Sequence, residues 1–324
     1  MMAKVFLKLI ALVLTAVCST AVLAQNYPTR PIKIVVPFPP GGATDIIGRA
    51  VAERLQAVFN RPVIVENKAG ASGNIGVAEV VRSAPDGYTL VMGAAQTLTI
   101  NHQLFDNMGF LPQRDLAPII VVASVPNVLV VANRLPAKNL QEFIALVKAN
   151  PGKFSSGSSS TGGTPHLTLE MFKSTVGAAI VHIPYKGSAP ALQDLAGGQI
   201  EMMFDNLPAA LPLIAGGRVR PIGVTTLKRT ASAPDVPTFD EMGLKGFESQ
   251  GWFGLLAPVG TPPAILERLN AEVNKMIQTP EFRDRLVKAG ADPVGGSIDE
   301  FRQRLKSETD RWGRVIKAAN VKAE

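Results

Sequence analysis

Short apolar runs alternate along this chain with stretches in which apolar residues recur every three or four positions. From Ile32 the sequence reads IKIVVPF, rich in β-branched residues and too short for a helix, which predicts a buried strand. After PPGG, the residues Ile46, Ile47, Ala50, Val51, Leu55 and Val58 fall on one helical face, with Arg49, Glu53 and Arg54 on the other. PVIVEN (62–67) predicts a second strand, KAGASGNIG a glycine-rich turn, VAEVVRSA a second helix and YTLVMGAA (88–95) a third strand. This alternation predicts a parallel sheet covered by helices on both faces.

The pattern then runs a second time. NVLVVAN (127–133) predicts a strand, LQEFIALVKAN a helix stopped by Pro151 and Gly152, and KFSSGS a strand entering a loop of small residues. HLTLEMFKS, AAIVHIPY, APALQDLAGG, IEMMFDN, LPAALPLIAGG and PIGVTT continue the alternation as helix, strand, helix, strand, helix and strand. A turn-prone stretch from Ala233 to Gly246 precedes a last apolar run, FESQGWFGLLAP (247–258). Two amphipathic helices, from Pro263 and from Ile298, close the chain and are expected to pack back on the first unit. The expectation is an α/β protein of two lobes, one from residues 25–124 and 251–324, the other from 125–250. The chain would cross between them near residues 124 and 250, which is hinge geometry.

Composition changes this picture at the amino end. Lys4 and Lys8 flank the start of an apolar stretch that ends in small residues, the layout of a secretory signal peptide. Val22 and Ala24 place the cut after residue 24, and the apolar run of roughly 16 residues is too short to argue a spanning helix. A lipidated Cys18 is the weaker alternative, because Thr15, Ala16 and Val17 fit poorly before a lipidation site. Cys18 is the only cysteine, so the mature chain has no disulfide, thiol nucleophile or cysteine metal ligand and must be held by its core. The formal charge of +7 falls to about +5 without the leader, and its scattered positive residues suit an anionic ligand while leaving no footprint for nucleic acid.

Candidate chemistry lies in the loops at the carboxyl ends of the strands, where open parallel sheets bind ligands. PFPPGGATD (37–45) brings bare backbone at Gly41 and Gly42 to the start of a helix, whose free N–H groups and dipole favour an anion. The lysine and hydroxyl pair of a Walker loop and the three-glycine dinucleotide fingerprint are both missing, which disfavours phosphate. The alternative is a loop that only caps its helix through Thr44 or Asp45. SSGSSSTGGTPH (155–166) repeats the design in the second unit, with His166 either donating to the anion or packing. Asp205 at a strand end is either an acceptor for an ammonium or hydroxyl, or a helix cap. Lys186 either adds charge or is solvated, and Trp252 and Phe253 default to core packing at the crossing. Only His102, His166 and His182 are available as histidines; no nucleophile elbow accompanies the many serines, and no carboxylates stand at metal-ligand spacing. A catalytic metal and a cofactor are therefore not expected.

Over its mature length the chain resembles the Bug-type receptors, the periplasmic substrate-binding components of tripartite tricarboxylate transporters. The matching stretches are YPTRPIKIVVPFPPGGATD, VENKAGASGNIG, PDGYTL, PYKGSAPALQDLAGG, FDN, APDVPTFDE and WFGLLAP, in that order. The resemblance implies a flytrap-like fold that closes on a small organic acid without catalysis, in the periplasm, for delivery to integral membrane transporter subunits. It implies that Phe38, Gly41, Gly42 and Ala43 of the first loop and Ser158, Ser160, Thr161, Gly162 and His166 of the second hold one carboxylate. Ser160 stands where the family usually has glycine. Ser72, Gln96 and Asp205 are the candidates for reading the rest of the ligand, and Asp45 is expected to order its loop more than to touch an anion. The expected form is a monomer. A sensor presenting the same ligand to a membrane kinase is the alternative function, and a serine hydrolase using Ser158 a third.

Overall fold

The computed structural model describes residues 27–319, 321 and 322; the leader, its cleavage point and Cys18 lie outside them. The first half of the fold is β1 (Ile32–Val36), α1 (Ala43–Phe59), β2 (Val63–Asn67), α2 (Asn74–Val81) and β3 (Thr89–Ala94), followed by a π-helical turn, Gln96–Ile100. β4 (Leu116–Val131) leads to α3 (Leu140–Ala149), β5 (Ser155–Ser158), α4 (Thr164–Val176), β6 (Val181–Pro184), α5 (Ser188–Gly197), β7 (Met202–Asn206), α6 (Leu207–Ala215) and β8 (Arg220–Val224). β9 (Gln250–Pro258), α7 (Pro263–Gln278), α8 (Pro280–Lys288), β10 (Asp292–Pro293) and α9 (Ile298–Ala319) complete it.

The strands hydrogen-bond in the order β2-β1-β3-β9-β4-β7-β5-β6, with β8 and β10 also on β4. Each end of this path is a parallel trio, β2-β1-β3 and β6-β5-β7, as the alternation predicts. The middle is antiparallel, because β9 runs against both β3 and β4, and β4 runs against β7. β4 is one strand of 16 residues where the sequence pattern predicts a start at Asn127. Its residues Leu116–Pro126 pair with β9 and Asn127–Val131 pair with β7, so one strand belongs to both halves of the sheet.

Side-chain alternation puts a core on both faces. Leu129 and Val131 of β4 pack with Phe143, Phe172 and Phe204, while Val128 and Val130 pack on the opposite face with Leu192, Leu195 and Met203. In the first half Ile34 and Val36 face Ile47, Val51 and Leu55 of α1, whereas Val35 faces Val77 and Val80 of α2. The carboxyl end differs from expectation in two ways. Pro280 ends one helix and opens another, so three helices follow β9 instead of two. α9 packs Phe301 and Leu305 on the first half, but its Trp312 and Ile316 reach Leu167 of α4 in the second. Among the described residues no helix is long and apolar enough to cross a membrane.

Candidate functional site

The loop after β1 is ordered by a carboxylate that points away from solvent. Gly41 takes φ +84°, which favours glycine, and Gly42 precedes α1 without any side-chain cap. Asp45 is buried; its Oδ2 accepts the Gly41 N–H at 3.0 Å, and its Oδ1 accepts Asn67 Nδ2 at 2.9 Å and pairs with Arg49 Nε at 2.9 Å. Burial alone would raise the Asp45 pKa, but the Arg49 guanidinium, the Gly41 N–H and the Asn67 amide outweigh it and hold the carboxyl below its usual range. Asn67 Nδ2 also donates to Phe38 O at 3.0 Å, tying the loop to the end of β2.

The loop after β5 is ordered by two stacked imidazoles. His166, in the first turn of α4, accepts the Gly162 N–H on Nδ1 at 3.0 Å, and its ring lies 3.8 Å from that of His182 at an angle of 8°. His182 Nε2 is 2.6 Å from Ser158 Oγ, which donates to Ser160 O at 3.1 Å. The single Ser158 proton has two acceptors within reach, the Ser160 carbonyl and, with His182 in the matching tautomer, the imidazole nitrogen. Ser158 is also only 1% exposed. Burial pushes both imidazoles down to about 4, with Lys173 adding to the effect on each and each other's proximity on His182, so both are neutral at pH 7.

The second loop is tied to the turns that follow β2 and β3. Thr161 O accepts from Ser72 Oγ at 3.2 Å and from Gln96 Nε2 at 3.0 Å, while Ser160 Oγ donates to Gln96 Oε1 at 2.9 Å. Ser160, where the resemblance implies a glycine, thus bonds to Gln96 of the first half. Ala71 and Ser72 sit at φ +46° and +53°, a strained region for residues with a side chain, and Ser72 keeps it while reaching Thr161.

Between the loops lies a cleft enclosing about 520 Å³, part of it open to solvent. Four helix starts meet on it: Gly42, Ala43 and Thr44 of α1; Thr164 and Pro165 of α4; Gly187 and Ser188 of α5; and Asn206 ahead of α6. None of these four helices has a side-chain cap. No Asp, Glu, Lys, Arg or His lines the cleft, and the hydroxyls of Thr44, Ser159 and Thr164 make no hydrogen bond among the described residues. Phe38, Pro39, Trp252 and Phe253 form apolar wall. A helix start stabilises a nearby anion by typically about 0.3–1 kcal/mol and up to about 2 kcal/mol in favourable partly buried geometry. Among the described residues no group of three His, Cys, Asp or Glu side chains is placed to hold a metal ion.

Of the residues singled out in the sequence, Phe38, Gly42, Ala43 and Gln96 line this cleft. Ser72, Ser160 and Thr161 line an adjoining groove together with Phe38 and Pro39. Gly41, Asp45, Ser158, Gly162 and His166 stand behind, shaping the loops. Asp205 is fully buried behind α5 and α6: its Oδ1 accepts Ser188 Oγ at 3.0 Å and the Asn206 N–H at 2.9 Å, and Oδ2 has no partner. Burial raises its pKa to about 7 against the pull of those two bonds. Sequence reasoning missed Thr164, Ser188 and Asn206 as lining residues, and assigned Trp252 and Phe253 to the core alone. The signal was present, since TGGTP, YKGSAP and FDNLP each join a strand to a helix through small residues or proline, as PPGGATD does.

Residues 47–321 match the tripartite tricarboxylate transporter family receptor. The chain is 38% identical to protein BugT of Bordetella pertussis over 309 residues, 95% of each chain. Among solved structures it is similar to R. palustris Rpa4515 with adipate, at TM-score 0.90 and 38% identity over 91% of this chain and 99% of that one. MatC from Rhodopseudomonas palustris with bound malate gives TM-score 0.83 and 30% identity over 90% and 100%.

Proposed function

Because this chain belongs to the tripartite tricarboxylate transporter receptor family, we propose that it is a periplasmic solute-binding protein that captures a small organic carboxylate and hands it to membrane transporter subunits. The observation that supports this reading is the convergence of four uncapped helix starts on a cleft without a charged side chain. Such a surface offers an anion many N–H donors and free hydroxyls, and holds no charged side chain that would favour a cation over it. The carboxylates in two similar structures, adipate and malate, agree with that chemistry.

In this reading the lobes are residues 25–124 with 251–324, and 125–250. Strands β4 and β9, which run between the two halves of the sheet, serve as the hinge. The bonds from Ser72, Gln96 and Ser160 across the cleft are those that closure forms and release breaks. Binding without turnover is supported by the burial of the Ser158 hydroxyl, which lies outside the lining of the cleft. Protein freed of carried-over ligand is expected to show a raised melting temperature with at least one member of a panel of mono-, di- and tricarboxylates, since a ligand that binds only the folded form stabilises it. No shift across that panel overturns the reading.

A further inference from the structure

The cleft's hydroxyls are not equivalent. Thr44, Ser159 and Thr164 have uncommitted protons and can donate to a carboxylate. Ser188 cannot, because its hydroxyl donates to Asp205 Oδ1 at 3.0 Å. That oxygen also accepts the Asn206 N–H at 2.9 Å, which leaves the partnerless Oδ2 as the only place for a proton on Asp205. Whether the carboxyl is ionised or neutral, Oδ1 remains an acceptor and Ser188 remains its donor. Toward the cleft, Ser188 Oγ therefore has only lone pairs to offer.

A second acceptor lies nearby. Asn206 Oδ1 is buried without a partner, and its side chain does not cap α6. Gly251 leaves room beside it: a Cβ there would sit 2.5 Å from Asn206 Oδ1 and 3.3 Å from Thr164 Oγ1. A free donor and a free acceptor thus stand side by side in one cleft. An acid without a further donor would leave the acceptors desolvated and unpaired, which costs affinity.

Resting on the carboxylate reading above, we infer that the ligand carries a hydroxyl or ammonium group close to its carboxylate, read by Ser188 with Asp205 as the residue that fixes the hydroxyl's direction. Ser188 is then the specificity-determining contact and Asp205 a positioning residue. The shared chemistry is a hydrogen-bond donor on the ligand; the two sources differ in charge.

Calorimetric titration of ligand-free protein with matched acids tests this. Malate, aspartate and succinate differ only at one carbon, which carries hydroxyl, ammonium or hydrogen; lactate, alanine and propionate form the three-carbon set, and the comparison is made at each length the wild type binds. The expected result is that the hydroxyl or the ammonium member binds at least about tenfold tighter than the hydrogen member. Which of the two prevails identifies the donor. Ser188→Ala is expected to remove most of that advantage, weakening the hydroxyl or ammonium member's Kd far more than the hydrogen member's. Asp205→Asn keeps the preference, since a carboxamide oxygen accepts both bonds, whereas Asp205→Ala lets the hydroxyl turn and reduces it. If Asp205→Ala does not fold, Ser188→Ala decides alone. Binding of the hydrogen members as tight as their partners overturns the inference and leaves the carboxylate reading standing. Binding of no carboxylate at all overturns both.

Discussion

The helix starts of this protein fall into two kinds, and the difference follows their distance from the cleft in all but α2, which begins uncapped after Gly73 beside the adjoining groove. Away from it, α3 is closed by Asn139, whose side chain accepts the Glu142 N–H at 2.9 Å while Glu142 reaches back to the Lys138 and Asn139 side. α9 has the same reciprocal box from Ser297 and Glu300, and α8 is capped by Thr279. α7 lacks a cap, but it begins at Pro262 and Pro263, which have no N–H to satisfy. On the cleft, α1, α4, α5 and α6 leave their first N–H groups without a side-chain partner. Glycine at three of these N-caps, Gly42, Gly163 and Gly187, costs each helix only a few tenths of a kcal/mol relative to a good cap, which an anion bound at the site would offset. The positions where the chain forgoes stability mark the site more clearly than any single side chain.

The largest effect is expected from giving a cleft helix the cap it lacks. Gly42 has extended backbone, and a Cβ there meets only Pro39 O at 3.8 Å, so Gly42→Asp fits without strain. Its carboxylate would occupy the α1 start in place of the ligand. Carboxylate affinity is expected to fall at least about 100-fold while stability of the empty protein rises by roughly 0.5–1 kcal/mol. Unchanged affinity, read by calorimetry, would show that α1 does not hold the anion.

A smaller effect separates the two loops by pH. The first is held by Asp45, already ionised well above pH 4, and the second by His166 and His182, neutral until about 4. The unfolded chain protonates its histidines near 6.5, so it binds more protons than the folded one between about 4 and 6.5, and their contribution to stability is lost as pH falls through that window. Asp205 opposes this, holding its proton up to about 7 when folded, so its contribution declines as pH rises from about 4 to 7. His182→Gln is expected to flatten the acid-side loss, measured by urea unfolding at stepped pH, by roughly 1–2 kcal/mol across the window. An unaltered slope would mean that the second loop is not anchored by its imidazoles.

The smallest effect is the control. Asn139→Ala removes a cap far from the cleft and is expected to cost about 1 kcal/mol of stability with carboxylate Kd unchanged. A change in Kd would dissolve the distinction between the two kinds of helix start.

Much of this was legible in the sequence because it rests on local pattern. The β-branched runs and the helical spacing in 46–58 located β1 and α1, and PPGGATD announced the start of α1, which has no side-chain cap. Asp45 was correctly expected to order its loop. What escaped depends on long-range pairing. β4 runs from Leu116 because β9 pairs with it as far as Pro126, with register shifts at Ile119 and Val122, and Pro118 and Pro126 hid that continuity. The stacking of His166 on His182 joins residues from a helix and a strand, which no spacing reveals. Asp205 stood at the right strand end, but only the fold shows that Ser188 lies between it and the cleft.

The charge-free lining of the cleft has a consequence for the empty protein. A receptor that gripped its cargo with a buried lysine or arginine would be left, after unloading, with a bare cation in a poorly solvated hollow, and would resist that state. In the proposed reading, a departing anion would leave behind only peptide dipoles and hydroxyls, which water can rehydrate readily. Loading and unloading then differ little in electrostatic cost, which favours a carrier that must cycle over one that must merely hold.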